Sequence, residues 1–172
     1  LYTEEYWNII ANFSKSQKKQ RQNCLWVPLT SILKSDMTIS SDGTYNFSFK
    51  NFDKYIQTSL SNGDYKYIEG SQLMGKDWSG DFTPQKENGP GIVEIYQGTG
   101  SNISTKYVLY SDASAKKHLR QMLTALANHL KQKGWDKMWI QHGLDECFDL
   151  QVQIPQAIDL VNMIKEIMPF AK

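Results

Sequence analysis

The stretch KMWIQHGLDECFD, residues 137–149, passes from an apolar run into polar side chains within a few positions. Its apolar part, MWI at 138–140, is typical of a buried strand. Three polar residues whose side chains can take part in catalysis or binding follow within a few positions: His142, Asp145 and Glu146. Because α/β proteins place their sites at the carboxyl ends of parallel strands, this stretch predicts the strand of a functional site.

Outward from this stretch, the chain alternates between helical and strand patterns. Strand patterns cover CLWVPL at 24–29, DYKYIEG at 64–70 and the stretch quoted above. Apolar residues at helical spacing precede, separate and follow them, at 6–13, 52–60, 119–130 and 155–168. Gly63 and Gly134 are predicted to end two of these helices. Regular alternation of this kind predicts parallel strands joined by helical crossovers.

Two hairpins interrupt the alternation. Asp42-Gly43 is a turn signal inside the alternating run 37–49. A second hairpin is predicted from GIVEIYQ at 91–97 and TKYVLYS at 105–111. The second one belongs to a loop-and-hairpin insertion over residues 74–112, and long excursions on a rigid scaffold are often functional.

Two α/β architectures fit this order, a doubly wound sheet and a barrel. A doubly wound sheet often has a glycine-rich turn after its first strand, and LTSILKSD at 29–36 has none. Polar residues follow each main strand, at Thr30 and Ser31, at 69–72 and at 142–146, which favours the barrel. A complete barrel takes about 250 residues, more than the 172 present. We therefore predict a partial (β/α) TIM barrel, with residues 1–172 as one α/β domain of a larger catalytic domain.

Composition excludes several classes of function. The net charge of +1 gives no strong positive electrostatic potential to attract nucleic acid. No apolar run reaches the roughly 20 residues that span a bilayer. The chain begins at Leu1 rather than Met, so we expect the start of the gene product to be missing and its compartment to be undecided. Cys24 and Cys147 are expected to be free thiols rather than a disulfide. No cofactor is expected.

The adjacent carboxylates Asp145 and Glu146 can reach one substrate where a strand ends and the backbone turns. Sugar hydrolysis uses such neighbours, since one acid protonates the leaving oxygen while another group stabilises the developing cation. Two other interpretations stay open: helix capping or solvent exposure, and a metal site that includes His142. His118 and His129, on the long helix, are expected to be surface or packing residues.

Three segments resemble glycoside hydrolase family 123: HLKQKGWDKMWIQHGLDE at 129–146, FDKYIQTSLSNGDYKYIEGSQL at 52–73 and NCLWVPLTSIL at 23–33. The resemblance implies a TIM-barrel catalytic domain that hydrolyses β-linked N-acetylhexosamine, in particular N-acetylgalactosamine, by substrate assistance. It implies that Asp145 orients the acetamido group and that Glu146 is the general acid/base. Such enzymes are often exported by bacteria. Cys147 stands where the family usually has Pro.

Substrate-binding residues are predicted at the strand ends and in the insertion: Glu69, Gln72, His142 and Trp78. A second mechanism uses Glu69 as a nucleophile opposite Glu146, with carboxyl groups roughly 5 Å apart. Completion of the open barrel edges by a second copy of the chain is a further expectation, since unpaired strand edges tend to associate.

A non-catalytic carbohydrate-binding or scaffold domain is the alternative function. Aromatic residues of the insertion would then grip sugar, and the carboxylates would only form hydrogen bonds. Of these aromatics, Trp78 is the better candidate for a sugar platform, since it follows a strand end. Tyr96 and Tyr107 are expected to pack the insertion onto the helices.

Overall fold

A parallel sheet of three strands forms the centre of the computed structural model, which describes residues 2–75, 90–145 and 151–172. Its strands stand in the order β1 (Cys24–Val27), β4 (Tyr67–Gly70) and β7 (Trp139–Gln141), and each pairs in parallel with its neighbour. Two antiparallel pairs are the predicted hairpins: β2 (Met37–Ile39) with β3 (Tyr45–Phe47), and β5 (Ile92–Thr99) with β6 (Asn102–Leu109).

Four of the five described helices lie where the apolar periodicity predicts them, whereas the short helix at Leu29–Lys34 was not predicted. Thr3 caps the first through its Oγ, which accepts from the Tyr6 amide, and Asp112 caps the fourth by accepting from Ser114 N at 2.7 Å. They are α1 (Glu4–Lys19), α2 (Leu29–Lys34), α3 (Lys50–Asn62), α4 (Ala113–Lys133) and α5 (Gln153–Ile167), with a 3₁₀ turn at Asp136–Met138. None of the helices in the described ranges is long and apolar enough to cross a membrane.

Glycines end two helices for different reasons. Gly134 follows α4 with a φ of 70°, in the left-handed region that glycine adopts without a steric penalty. Gly63 follows α3 as predicted, but its φ of −100° is open to any residue. A Cβ at Gly63 would come within 2.1 Å of the Tyr65 ring. Close approach of an aromatic ring, and not a left-handed turn, therefore accounts for glycine at this position.

The two faces of the parallel sheet differ in burial. Leu25, Ile68 and Trp139 stand side by side on one face and are nearly inaccessible to solvent. This face packs against helices, with the Trp139 ring 6.2 Å from that of Phe52 in α3. On the other face, Trp26 is 54% exposed beside Glu69. The helices thus cover the sheet on one side, as they do outside a β/α barrel.

The outer edge of β7 holds a further contact. The Lys172 amide donates to Trp139 O at 3.2 Å, and Gln141 N donates to Lys172 O at 3.3 Å. This alternation is the hydrogen-bond pattern of parallel strands. A mixed α/β fold with a parallel sheet and two antiparallel hairpins confirms the predicted fold class, since it is the arrangement of part of a β/α barrel.

Two histidines of α4 are packing residues. His118 is 2% exposed and lies 3.1 Å from the Tyr45 hydroxyl through Nδ1. His129 stacks on Phe49 at 3.9 Å between ring centroids and places Nε2 2.5 Å from Asp53 Oδ1. Both fix helix α4 to neighbouring elements, as the sequence predicts.

The buried His118 makes stability depend on pH. Desolvation lowers the pKa of His118 from 6.5 to about 4. Between these values the unfolded chain binds the proton more strongly, so stability falls as the pH drops from 6.5 toward 4. We expect the free energy of unfolding to fall by about 2 kcal/mol between pH 7 and pH 4.5 because of this residue. Urea unfolding of wild type and His118→Gln at both pH values measures it, and an equal pH dependence in the two proteins contradicts the assignment.

Candidate active site

The candidate site begins at the carboxyl ends of the three parallel strands. Glu69 lies in the central strand β4, with Trp26 as its partner in β1 and Ile140 in β7. These three residues therefore share the face of the sheet that the helices leave open. Glu69 is the residue of that row with a side chain able to bind or exchange protons.

Glu69 contacts a polar residue on each side. His142 follows β7 directly, and its Nδ1 lies 3.5 Å from Glu69 Oε1. Its Nε2 lies 3.2 Å from the carbonyl of Leu144. Both ring nitrogens thus lie near oxygen atoms of other residues. The ring links the Glu69 carboxylate to the segment that leads into Asp145.

On the opposite side, the Cys24 thiol lies 3.8 Å from Glu69 Oε2. Partial burial raises the pKa of this thiol, and the nearby Glu69 charge raises it further. A thiol held protonated is a weak nucleophile. Cys24 is thus a weak donor to Glu69 rather than a reactive group. The predicted free state of Cys147 concerns a residue outside the described ranges.

Hydrogen bonds from backbone amides bind the three strand ends together. Ser71 N donates to Val27 O at 3.0 Å, and Ser71 Oγ accepts from Leu29 N at 3.0 Å, which fixes the end of β4 to that of β1. Leu73 N and its neighbour Met74 N both donate to the carbonyl of Gly143, each at 3.0 Å. The loops after β4 and β7 are therefore fixed to each other just ahead of Asp145.

The buried amide of Gln141 reinforces this junction. Its Oε1 accepts from the Trp139 indole at 3.2 Å, while Nε2 donates to the carbonyls of Ser71 and His142 at 3.3 and 3.1 Å. Gln141 is only 8% exposed. Sequence reasoning did not single it out, although its place two residues after Trp139 puts it on the same buried face.

Asp145 is exposed and lies at the end of the loop that Gly143 and His142 fix. Glu146 and Trp78 fall outside the described residues, and their predicted roles stay predictions. In the ranges that the structure describes, no group of three His, Cys, Asp or Glu side chains is placed to hold a metal ion. The structure therefore brings Glu69 and His142 together, next to the segment that carries Asp145.

Gln72 follows the carboxyl end of β4. It lines a cleft of about 800 Å³, together with the half-exposed ring of Trp26. The predicted roles of Gln72 and His142 in substrate binding stay predictions. Trp26 was missed as a site residue, although the alternation Leu25-Trp26-Val27 points it away from the buried face.

The two tyrosines of the insertion differ from each other. Tyr96 is 3% exposed and donates its hydroxyl to Thr30 O at 2.8 Å, so it packs as expected. The expectation for Tyr107 is wrong, because this residue is 68% exposed on β6. Tyr107 stands opposite Glu94 in the hairpin, and both line the cleft.

Comparison with known proteins identifies the family. No similar protein was found among curated sequences. The solved structure of a family 123 glycoside hydrolase from Clostridium perfringens, described for its hydrolysis of glycolipid glycans, superposes with a TM-score of 0.56 at 15% identity. The match covers 94% of this chain and 28% of that one. The sequence profile "Glycoside hydrolase 123, catalytic domain" matches residues 1–172. The chain therefore belongs to the catalytic-domain family of glycoside hydrolase 123.

Proposed function

We propose that the protein containing this chain hydrolyses β-linked N-acetylhexosaminides, and N-acetylgalactosaminides in particular. The observation that carries the proposal is the Asp145-Glu146 pair, whose first residue follows the end of β7 by four positions, in a chain that belongs to a glycoside hydrolase family. The solved relative from Clostridium perfringens acts on glycolipid glycans, according to its description. A β-linked sugar at the carboxyl ends of the strands is consistent with both facts.

The proposed mechanism is substrate-assisted and retaining. The 2-acetamido oxygen of the sugar attacks the anomeric carbon, while Glu146 donates a proton to the departing oxygen. Asp145 orients the acetamido group and stabilises the positive charge that develops on its nitrogen. Glu146, now a carboxylate, then removes a proton from the water that opens the cyclic intermediate. No protein nucleophile is needed.

Glu69 and His142 have a positioning role in this proposal. Glu69 Oε1 contacts the His142 ring at 3.5 Å, and the ring holds the carbonyl of Leu144 at 3.2 Å. Leu144 immediately precedes Asp145. The pair therefore restrains the loop that presents the two carboxylates, and misplacement of a catalytic group by about 1 Å costs roughly 100-fold in rate.

A Glu69→Gln variant separates this role from that of a nucleophile. If Glu69 is a positioning residue, the substitution should lower kcat by about 10- to 100-fold. The loss is limited because the introduced amide can still contact His142. If Glu69 is instead the nucleophile, the variant should lose nearly all activity, and a 2-fluoro sugar should label Glu69 covalently in the wild-type protein. Steady-state kinetics with mass spectrometry after inhibitor treatment distinguishes the two. A glycosyl adduct on Glu69 contradicts the positioning role.

Release of nitrophenol from nitrophenyl β-N-acetylgalactosaminide tests the proposed function. We expect the full-length gene product to turn over this substrate, with the corresponding N-acetylglucosaminide as the comparison that tests sugar preference. A folded protein that releases nitrophenol from neither contradicts the proposal. Calorimetric titration with the free sugars would then measure the alternative function, that of a carbohydrate-binding domain.

A further inference from the structure

The cleft that Gln72 lines adjoins the candidate site. It lies between the carboxyl ends of β1 and β4 on one side and the β5–β6 hairpin on the other, with Leu119 and Met122 of α4 at its base. We refer to it as the hairpin cleft. Its volume of about 800 Å³ falls within the range of roughly 300–1,000 Å³ for small-molecule sites.

The hairpin cleft is continuous with the proposed catalytic centre. Trp26, on its wall, is the neighbour of Glu69 in the sheet register. Leu73, also on its wall, donates its backbone amide to Gly143 O at 3.0 Å, two residues before Asp145. A substrate held at Asp145 and longer than one sugar would therefore extend into the cleft.

The walls of the cleft carry the groups that bind sugar rings. Trp26 and Tyr107 both line the cleft and expose 54% and 68% of their surface. Flat aromatic faces contact the apolar C–H faces of sugars, while hydroxyl, amide and carboxylate groups bind the hydroxyls. Gln72, Glu94 and Ser71 supply such polar groups on the same walls.

Charge narrows the class of ligand. Among the described residues of the lining, Glu94 is the acidic one, and none is Lys or Arg. His118, at the base, is held neutral because burial lowers its pKa to about 4. An anionic sulfate or sialate group would meet the Glu94 carboxylate, and the described part of the lining offers it no Lys or Arg, which favours an uncharged glycan.

We infer that the hairpin cleft is a subsite for uncharged sugar units on the leaving-group side of the scissile bond, with Tyr107 and Trp26 as platforms. The inference rests on the proposed function, since it places the cleft next to a sugar bound at Asp145. It makes Tyr107 a specificity-determining residue of the insertion. The catalytic step itself does not require it.

The test compares two substrates that share the hydrolysed sugar. One is the β-fluoride of N-acetylgalactosamine, which has no sugar on the leaving side; the other is an uncharged oligosaccharide with a terminal β-N-acetylgalactosamine. Tyr107→Ala in the full-length gene product should lower kcat/KM for the oligosaccharide by about five- to tenfold, the loss of one aromatic contact. Turnover of the fluoride should be unchanged. Tyr107→Phe keeps the ring and should keep most of the activity.

Two further variants make the result decisive. Phe13→Ala removes an aromatic ring of similar exposure (58%) on α1 and should leave kcat/KM unchanged for both substrates. Glu94→Ala, on the strand opposite Tyr107, should lower oligosaccharide turnover selectively even if Tyr107→Ala does not fold. Equal effects on both substrates, or no effect from either variant, overturn the subsite. A folded wild type that hydrolyses neither substrate overturns the proposed function, and the subsite with it.

Discussion

Replacement of Glu146 by Gln is expected to make hydrolysis depend strongly on the leaving group. Loss of a general acid costs about 10²- to 10⁴-fold for an unactivated disaccharide, whose leaving oxygen needs a proton. From a dinitrophenyl glycoside the dinitrophenolate departs as a stable anion, so its departure needs little protonation. The ratio of the two kcat/KM values should therefore change by at least about 100-fold between wild type and Glu146→Gln.

The second step offers a control for the same variant. Without the Glu146 carboxylate, no base activates water, and the cyclic intermediate formed from the dinitrophenyl substrate should be consumed slowly. Azide is already an anion and needs no base, so it should restore turnover and yield the β-glycosyl azide. An equal loss for both substrates, with no azide product, contradicts the assignment of Glu146 as the acid/base.

Replacement of Asp145 by Asn is expected to give the opposite pattern. Asn can still accept a hydrogen bond from the acetamido nitrogen, but it carries no charge to stabilise the positive intermediate. We expect kcat to fall by about 10²- to 10³-fold for every leaving group, because the lost interaction forms in the transition state. Wild type should turn over a substrate with a 2-hydroxyl group only negligibly. The loss of kcat caused by Asp145→Asn should therefore be absent for that substrate.

The exposed Asp64 serves as the matched control. Asp64→Asn makes the same chemical change away from the strand ends, and it should leave both kinetic constants as they are. Kinetics of the three proteins on dinitrophenyl and disaccharide substrates, with circular dichroism as a check of folding, complete the comparison. If the 2-hydroxyl substrate reacts as fast as the 2-acetamido one, substrate assistance is wrong.

Local sequence patterns predicted most of the elements of the described fold. The helices ending at Asn62 and Lys133, and both hairpins, follow from periodicity and turn residues that act within a few positions. Parallel pairing followed from the alternation of helices and strands. These features need only short-range steric and hydrophobic preferences, so one sequence is enough to read them.

The contacts that assemble the site were beyond such patterns. The bonds from Leu73 and Met74 to Gly143 span about seventy positions, and no local preference encodes them. The exposure of Tyr107 depends on how the hairpin lies across the strand ends, and the alternation along β6 alone does not fix it. Trp26 could have been found, because Leu25 and Val27 both face the helices and leave it on the open side of the sheet.

Self-association to cover the open sheet edges remains a prediction. Its physical basis is that β1 and β7 end the parallel sheet in the part of the chain that the structure describes. Lys172 places its ammonium 4.5 Å from the Tyr67 ring and its backbone along β7, so part of one edge is occupied within the chain itself. Light scattering of the isolated 172-residue chain measures the association, and a monomer at high concentration contradicts it.

The central claim is that hydrolysis of the β-N-acetylgalactosaminide proceeds by two displacements at the anomeric carbon, so that the β configuration is retained. The most direct measurement is proton NMR of nitrophenyl β-N-acetylgalactosaminide during hydrolysis by the full-length gene product. Two inversions at the same carbon predict that the β-anomer of N-acetylgalactosamine appears first and then mutarotates. First appearance of the α-anomer would mean direct attack by water and contradict the account, as would the absence of any hydrolysis by a folded protein.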